Sequence, residues 1–215
     1  MLHWIQIGGP IMWMLIALSV GAALIFFERV VQLHRAQIKT GDFLRGIGNV
    51  LGRSGPPPPA AVVEAVSICD QTEGPVARMV RAAVLELGGG VPRVREVMEQ
   101  AGLAELPRLE RNLALLLTLA QCAPIAGLLG TVLGLIHVLS TIMEKAPLVH
   151  AGDLGGGLSQ ALLTTAAGLA VALPTYVGYN FLVSRVDSIV LDMERSCIEF
   201  QALVRQWAVV QEGPS

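Results

Sequence analysis

Two threonines inside long uncharged stretches are the residues of this sequence best suited to act on an ion. The stretches run from Leu113 to Met143 and from Leu154 to Ser184, and neither contains Asp, Glu, Lys or Arg. Thr131 lies inside the first stretch and Thr165 inside the second. Because a hydroxyl both donates and accepts hydrogen bonds, these residues could form the polar lining of an ion path between apolar helices.

Prolines add a second source of polar atoms to the same stretches. Pro124 lies in the first stretch and Pro174 in the second. Since proline has no main-chain N–H, each should bend its helix and leave one carbonyl of the preceding turn without a helical partner. Hydroxyls and freed carbonyls together would supply the donors and acceptors of an ion path. The alternative is that these stretches only pack, with threonine bonding back to its own turn.

Small residues indicate where the two stretches touch. Gly130 and Gly134 are four residues apart, a spacing that permits close approach of two membrane helices. At helical periodicity each stretch also presents one face of small and hydroxyl-bearing residues. These faces consist of Pro124, Gly127, Thr131 and Gly134 in the first stretch, and of Ala161, Thr165, Gly168 and Ala172 in the second.

The composition is typical of a membrane protein. The 215 residues are 53% hydrophobic and 15% charged, with a mean hydropathy of +0.61, whereas soluble domains carry about 25% charged residues. A third apolar stretch, from Ile5 to Phe27, precedes the other two. About 20 apolar residues span a bilayer, and only a helix satisfies its own backbone there. The sequence therefore predicts an all-α integral membrane protein with three transmembrane helices, the long second and third extending into the cytoplasm, and a helical cytoplasmic layer.

Basic residues set the predicted orientation. Eleven of the 15 lie between Glu28 and Arg111, and cytoplasmic flanks collect Lys and Arg. The amino terminus is therefore predicted to lie outside and the carboxyl terminus inside. The predicted segments are a first transmembrane helix (1–28), a cytoplasmic helical segment (29–110) with a proline-rich loop (54–60), a second transmembrane helix (111–144), a periplasmic loop (145–153), a third transmembrane helix (154–184), and a cytoplasmic amphipathic helix and tail (185–215).

Glycine and proline predict the breaks within the cytoplasmic segment, because both interrupt helices. The first span should continue as helix towards Leu51. Later breaks are expected near Gly74, at a turn over 88–90 and at Gly102, and the last helix should enter the second span near Pro107. Beyond Ser184, apolar residues recur at steps of three and four, which predicts that the third span continues directly into an amphipathic helix.

Other classes of protein find little support. The net charge is −2 and no basic patch is present, which argues against nucleic-acid binding. The three cysteines are far apart, so neither a zinc site nor a disulfide framework is predicted. A protease dyad of His137 and Ser159 is disfavoured, because the two would lie near opposite sides of the membrane, beyond the ~3 Å of a base–nucleophile hydrogen bond. We expect no enzyme activity, cofactor or metal.

Two motifs in the long stretches are distinctive: APIAGLLGTVLGL (123–135) and ALLTTAAGLAVALP (161–174). Together they resemble the MotA/TolQ/ExbB proton-channel family. The resemblance extends to GGPIMWMLIALSVGAALIFFERV (8–30) and to LPRLERNLALLLTLA (106–120). Length and span count resemble the three-span TolQ/ExbB branch more than the four-span MotA proteins.

The resemblance implies a subunit of an ion-driven motor that energises envelope transport or integrity at the bacterial inner membrane. In that family five subunits surround paired helices of an ExbD/TolR-like single-span partner, which supplies a membrane aspartate, and a TonB- or TolA-like protein acts with them. Thr131 and Thr165 match the family's pore threonines, and Pro124 and Pro174 match its helix-bending prolines. A partner would explain why the spans of this chain contain no carboxylate of their own.

Two positions depart from the family pattern. Gln160 stands where some members have glutamate, and Thr164 stands where some have alanine. Protons are the ion that the resemblance implies, but an oxygen from Thr164 next to Thr165 could help to ligate sodium, which favours several oxygen ligands. His137 is interpreted as a packing or interfacial residue. The alternative function is that of a non-conducting oligomeric scaffold in the membrane.

Overall fold

The computed structural model describes residues 2–36, 40–52 and 57–211. No residue in these ranges forms a β-strand. Three helical stretches, Gly8–Leu51, Leu87–Lys145 and Gly152–Trp207, are long and apolar enough to cross a membrane. The predicted all-α membrane fold with three spans is therefore confirmed. The helices are α1 (Leu2–Ala36), α2 (Thr40–Leu51), α3 (Pro59–Gln71), α4 (Pro75–Leu85), α5 (Gly90–Glu110), α6 (Leu113–Lys145) and α7 (Ala151–Gln211), with a 3₁₀ turn, Leu87–Gly89, before α5.

The described residues divide into two compact units. The first unit comprises the residues up to Arg29 together with Asn112–Leu182. The second unit comprises Val30–Arg111 together with the residues from Val183 onward. The first unit therefore holds most of α1, all of α6 and the first half of α7, and with them the threonines that the sequence singles out.

Small residues let α1 pack against both motif helices within the first unit. The core cluster there contains Ile11 and Leu15 from α1, Ala123 and Ala126 from α6, and Ala172 from α7. Lipid is as apolar as these side chains, so close van der Waals packing, rather than exclusion of water, must hold the cluster together. Alanine at the contact positions of α6 and α7 leaves room for the larger side chains of α1.

The breaks in the second unit follow glycine, with one exception. Gly74, with a φ of 141°, separates α3 from α4, and Gly90, with a φ of 74°, follows the 3₁₀ turn, so both predicted breaks are confirmed. The break predicted at Gly102 is wrong, since α5 runs through it. A Cβ added to Gly102 would lie 3.3 Å from Cε of Met79, so this glycine makes room for a neighbouring helix.

The break between α5 and the second span lies at Asn112, which was not predicted. α5 also continues through Pro107 to Glu110. Asn112 then adopts a left-handed conformation, with a φ of 62°, immediately before α6. Asparagine tolerates this region better than most residues do. The connection into α6 therefore depends on Asn112 and not on the proline.

The start of the segment predicted to be cytoplasmic is helical, as expected, where it is described. α1 continues to Ala36, and α2 continues to Leu51, with residues 37–39 outside the described part of the chain. Pro58 is not helical, but α3 already begins at Pro59, because proline is tolerated in a first helical turn. The predicted proline-rich loop over 54–60 thus ends one residue before Pro59, and its residues 54–56 lie outside the described ranges.

The connection between α6 and α7 is closed by an ion pair. The helices end at Lys145 and begin at Ala151, so this connection is shorter than the predicted loop over 145–153. The Lys145 ammonium bonds to the carboxylate of Asp153, which also accepts a hydrogen bond from the main-chain N–H of His150 at 3.1 Å. The hydrogen bond from Lys145 holds the pKa of Asp153 below its usual value, and the bond from His150 acts in the same direction.

The last half of α7, which belongs to the second unit, is an amphipathic helix with one buried face. α7 is continuous from Ala151 to Gln211, which confirms that the third span runs directly into the tail. The indole N–H of Trp207 donates a hydrogen bond at 2.8 Å to the carbonyl of Gly52, the residue directly after α2. The buried stripe of α7 consists of Val186, Ile189, Met193, Cys197, Phe200, Val204 and Trp207.

Cys69, in α3, is a free cysteine of the second unit. Burial raises the pKa of its thiol to about 11.

Candidate functional site

Glycines bring α6 and α7 into close contact. A Cβ added to Gly134 would lie 2.6 Å from the carbonyl oxygen of Gly157, and one added to Gly168 would lie 2.7 Å from that of Ala123. Around Gly127 the space is also tight, with the nearest backbone atom of α7 3.0 Å from an added Cβ. Any side chain at these positions would push the helices apart. The small faces of the two stretches therefore lie against each other.

Thr164 fills the space that Gly130 leaves. Its side chain is completely buried, with 0% exposure. A Cβ added to Gly130 would overlap both the Cβ and the hydroxyl oxygen of Thr164. The Thr164 hydroxyl lies 3.0 Å from the carbonyl oxygens of Gln160 and Ala161 in its own helix. Thr164 thus packs between the helices, and its hydrogen bonds stay within α7.

The hydroxyls of Thr131 and Thr165 meet between α6 and α7. Their Oγ1 atoms are hydrogen-bonded to each other. The Thr131 hydroxyl also lies 3.3 Å from the carbonyl oxygen of Ala161, and the Thr165 hydroxyl lies 3.2 Å from that of Gly127. Both side chains are half-buried. These two hydroxyls and two carbonyls are called the hydroxyl cluster below. The two threonines that the sequence singled out are therefore in contact.

The prolines lie apart from the hydroxyl cluster. Pro124 and Pro174 are inside α6 and α7, and the carbonyls that they leave without a helical partner are those four residues earlier, at Ala120 and Ala170. The hydroxyls bond instead to carbonyls four residues before a threonine. The acceptors across the helix contact were not predicted. The alternative expectation, that threonine bonds back to its own turn, agrees with the 3.4 Å distance from the Thr131 hydroxyl to the carbonyl of Gly127.

The remaining singled-out residues do not join the cluster. His137 is exposed and Ser159 is half-buried, and among the described residues no hydrogen bond connects the two side chains. The Gln160 amide lies beside Gly9, whose φ of 65° interrupts α1 just before Pro10. Within the described ranges, no group of three His, Cys, Asp or Glu side chains could hold a metal ion.

The helices that carry the hydroxyl cluster match a family of known proteins. Residues 71–195 match the MotA/TolQ/ExbB proton channel family. The chain belongs to this family. The match includes both cluster threonines and the carbonyls that they reach. Three helical stretches suited to cross a membrane are consistent with the three-span TolQ/ExbB branch of the family, and the chain is a multi-pass membrane protein of TolQ/ExbB type.

Individual members of the family are similar over different shares of the chain. The putative biopolymer transport protein ExbB-like 3 of Synechocystis sp. is 31% identical over 174 residues, which are 80% of either chain. The biopolymer transport protein ExbB of Aquifex aeolicus is 44% identical over 86 residues, 40% of this chain and 57% of that protein. The Tol-Pal system protein TolQ of Haemophilus influenzae is 33% identical over 104 residues, 48% of this chain and 45% of that protein.

Proposed function

We propose that the chain is the ring-forming subunit of an ion-driven motor of TolQ/ExbB type in the bacterial inner membrane. The proton motive force would drive this motor, which would energise envelope transport or integrity. The observation that carries the proposal is the hydroxyl cluster, in which two threonine side chains bring polar oxygens to one point of an apolar helix contact. Polar groups inside membrane segments commonly mark ion pathways.

The ion path requires a second protein. The two motif stretches contain no charged residue, so this chain offers no carboxylate at membrane depth to carry a proton. We therefore include a single-span partner of ExbD/TolR type, whose membrane aspartate would approach the hydroxyl cluster. A TonB- or TolA-like protein would pass the resulting motion to its load. The proposal involves neither enzymatic activity nor a cofactor.

The ring would contain five copies, with α6 and α7 towards the centre and α1 at the periphery. α1 exposes Trp13, Leu24 and Phe27, with 64%, 67% and 67% exposure, and such bulky apolar side chains suit contact with lipid. The glycine contacts tie α6 to α7 within one subunit. In this arrangement the amino terminus lies in the periplasm and the carboxyl terminus in the cytoplasm, as the distribution of basic residues favours.

A non-conducting membrane scaffold is the second candidate function. Thr164 favours it, because this threonine is completely buried against Gly130 and bonds only within its own helix. If all the threonines of the motif helices served in this way, small residues and hydroxyls would explain helix packing without any ion.

Proton uptake by reconstituted liposomes separates the two functions. The chain would be reconstituted with and without the single-span partner, under an imposed pH gradient and with a pH-sensitive dye inside. We expect uptake only when both proteins are present, since this chain lacks a membrane carboxylate. An assembled complex of both proteins that takes up no protons would support the scaffold and rule out a proton-driven motor.

A further inference from the structure

The hydroxyl cluster has a reciprocal geometry. Gly127 precedes Thr131 by four residues in α6, and Ala161 precedes Thr165 by four residues in α7. Each hydroxyl lies near the carbonyl that precedes the other threonine, at 3.3 Å for Thr131 and Ala161 and at 3.2 Å for Thr165 and Gly127. Each threonine therefore reaches across to the neighbouring helix, and the two also bond to each other.

Each of the two carbonyls has one lone pair left for a hydroxyl. A carbonyl oxygen carries two lone pairs, and α6 and α7 are continuous over these residues. The main-chain N–H four residues later therefore occupies one lone pair of Gly127 and one of Ala161. The remaining lone pairs can each accept one hydroxyl hydrogen.

Two arrangements of the hydroxyl hydrogens keep the bond between the two threonines and use one carbonyl across the helix contact. In the first arrangement, Thr131 donates to Thr165 and Thr165 donates to Gly127. In the second, Thr165 donates to Thr131 and Thr131 donates to Ala161. Both arrangements satisfy both donors, and they differ only by rotation of the hydroxyl hydrogens. Only the Thr131 oxygen is free of an incoming hydrogen bond in the first, and only the Thr165 oxygen is free in the second.

Thr164 allows the second arrangement to form without loss. Its hydroxyl lies 3.0 Å from the carbonyl of Ala161 and 3.0 Å from that of Gln160. When Thr131 occupies the lone pair of Ala161, Thr164 can donate to Gln160 at the same distance. The number of hydrogen bonds is then the same in both arrangements.

We infer that Thr131 and Thr165 form a two-position hydrogen-bond switch, whose open acceptor for a proton donor moves between α6 and α7 as the hydroxyls rotate. The inference rests on the proposed function, since the donor is a protonated carboxyl or a hydronium ion in the ion path. The donor binds the Thr131 oxygen in the first arrangement and the Thr165 oxygen in the second. It can therefore pass from one helix to the other while both helices stay in place.

Carbonyl ¹³C chemical shifts of Gly127 and Ala161, measured by solid-state NMR of the chain in lipid bilayers, test the switch. In Thr165→Val, the acceptors left to Thr131 are the carbonyl of Ala161 at 3.3 Å and that of Gly127, in its own helix, at 3.4 Å. The share of Thr131 that donates to Ala161 should rise, and the Ala161 signal should move downfield. In Thr131→Val, Thr165 can donate only to Gly127, so the Gly127 signal should move downfield. Thr175→Val is the matched control, because this hydroxyl donates to Val171 of its own helix at 2.7 Å. The control should move neither signal.

Two static bonds would give a different pattern. If Thr131 donated only to Ala161 and Thr165 only to Gly127, Thr131→Val would shift the Ala161 signal upfield and leave the Gly127 signal in place. Thr165→Val would likewise shift the Gly127 signal upfield and leave the Ala161 signal in place. This result would overturn the switch. Alanine removes the same hydroxyl with a smaller side chain, and carries the same expectation should a valine variant fail to assemble.

Measurement of proton uptake by the same valine variants distinguishes failure of the switch from failure of the proposed function. Loss of uptake in both valine variants together with the static pattern would leave the proposed function in place and reject the switch. Uptake at the wild-type rate in both variants would reject the proposed function instead. Loss of uptake together with the reciprocal downfield shifts supports both.

Discussion

Thr131 in α6 and Thr165 in α7 are bonded to each other through their hydroxyls, and each also lies near the carbonyl oxygen four residues before the other. An unsatisfied polar group at membrane depth costs several kcal/mol, and this reciprocal contact gives both hydroxyls an acceptor. The pair can therefore form in the absence of a partner protein and still present an oxygen lone pair to one.

We predict that the chain forms a homopentamer. Gly127, Gly134 and Gly168 already lie in the contact between α6 and α7, and α1 covers part of that pair, through Ile11 and Leu15 and through Phe26 beside Gly178. Further apolar surface of α6, including Leu128 and Ile136, stays exposed in the single chain and is available to neighbouring copies. Native mass spectrometry of the detergent-extracted complex should give five copies. Recovery of nothing larger than a dimer, with the partner present, would contradict the ring.

The contact between α6 and α7 should survive if the small residue Gly130 is enlarged and the larger residue facing it, Thr164, is reduced. Gly130→Ala places a methyl group on the side chain of Thr164, and overpacking of this kind costs about 1–3 kcal/mol. Thr164→Gly removes the obstructing atoms, so the double variant should recover most of the lost thermal stability, apart from about 1 kcal/mol for an added helical glycine. Thermal unfolding of the solubilised complex measures both effects.

Gly155→Ala is the control for that exchange, because an added Cβ at Gly155 in α7 meets nothing within 4 Å. It should leave the midpoint of unfolding unchanged or slightly raised. A Gly130→Ala variant as stable as this control, or a double variant no more stable than Gly130→Ala alone, would show that the contact between Gly130 and Thr164 is not as tight as the structure has it.

The placement of Thr164 leads us to predict protons, rather than sodium, as the transported ion. Sodium requires several oxygen ligands, but the Thr164 oxygen is buried against Gly130 and bonded within α7. The motor activity of the complex with its single-span partner, measured in vesicles, should stop when the proton gradient is collapsed, even if a sodium gradient is maintained. Activity that continues under those conditions, and disappears in Thr164→Ala, would establish sodium instead.

The ion pair between α6 and α7 should respond to acid. Because the Lys145 hydrogen bond lowers the pKa of Asp153 in the folded chain, the pair's contribution to stability is complete above the carboxyl pKa of the unfolded chain. It is lost as the pH falls through the lower folded pKa. Lys145→Met should raise the pKa of Asp153 towards its ordinary value in a ¹³C NMR titration of the carboxyl group. An unchanged pKa in this variant would mean that Lys145 is not the principal cause.

Periodic patterns predicted the spans and the faces that meet. Charge-free stretches longer than a bilayer mark α6 and α7, and helical spacing places Thr131 and Thr165 on the same faces as the glycines. These features depend on positions within one helix, which the sequence contains directly. For the same reason the continuation of the third span into an amphipathic helix could be predicted.

Features that depend on the register between helices could not be predicted. Nothing in the spacing pairs Gly130 with Thr164, because a shift of α7 by one turn would pair other residues equally well. Gly102 was expected to break a helix, but its role depends on Met79, which belongs to α4. The acceptors of the hydroxyl cluster are main-chain carbonyls, and no residue type marks them in the sequence.

The most direct measurement is proton uptake by liposomes that contain the chain and its single-span partner, compared among threonine variants. Valine nearly preserves the shape of threonine but removes the hydroxyl, so a role in packing would survive the substitution. We predict loss of uptake in Thr131→Val and in Thr165→Val with the complex still assembled, and retention of uptake in Thr131→Ser, Thr165→Ser and the control Thr175→Val. Uptake at the wild-type rate in both valine variants would contradict an ion path through the hydroxyl cluster.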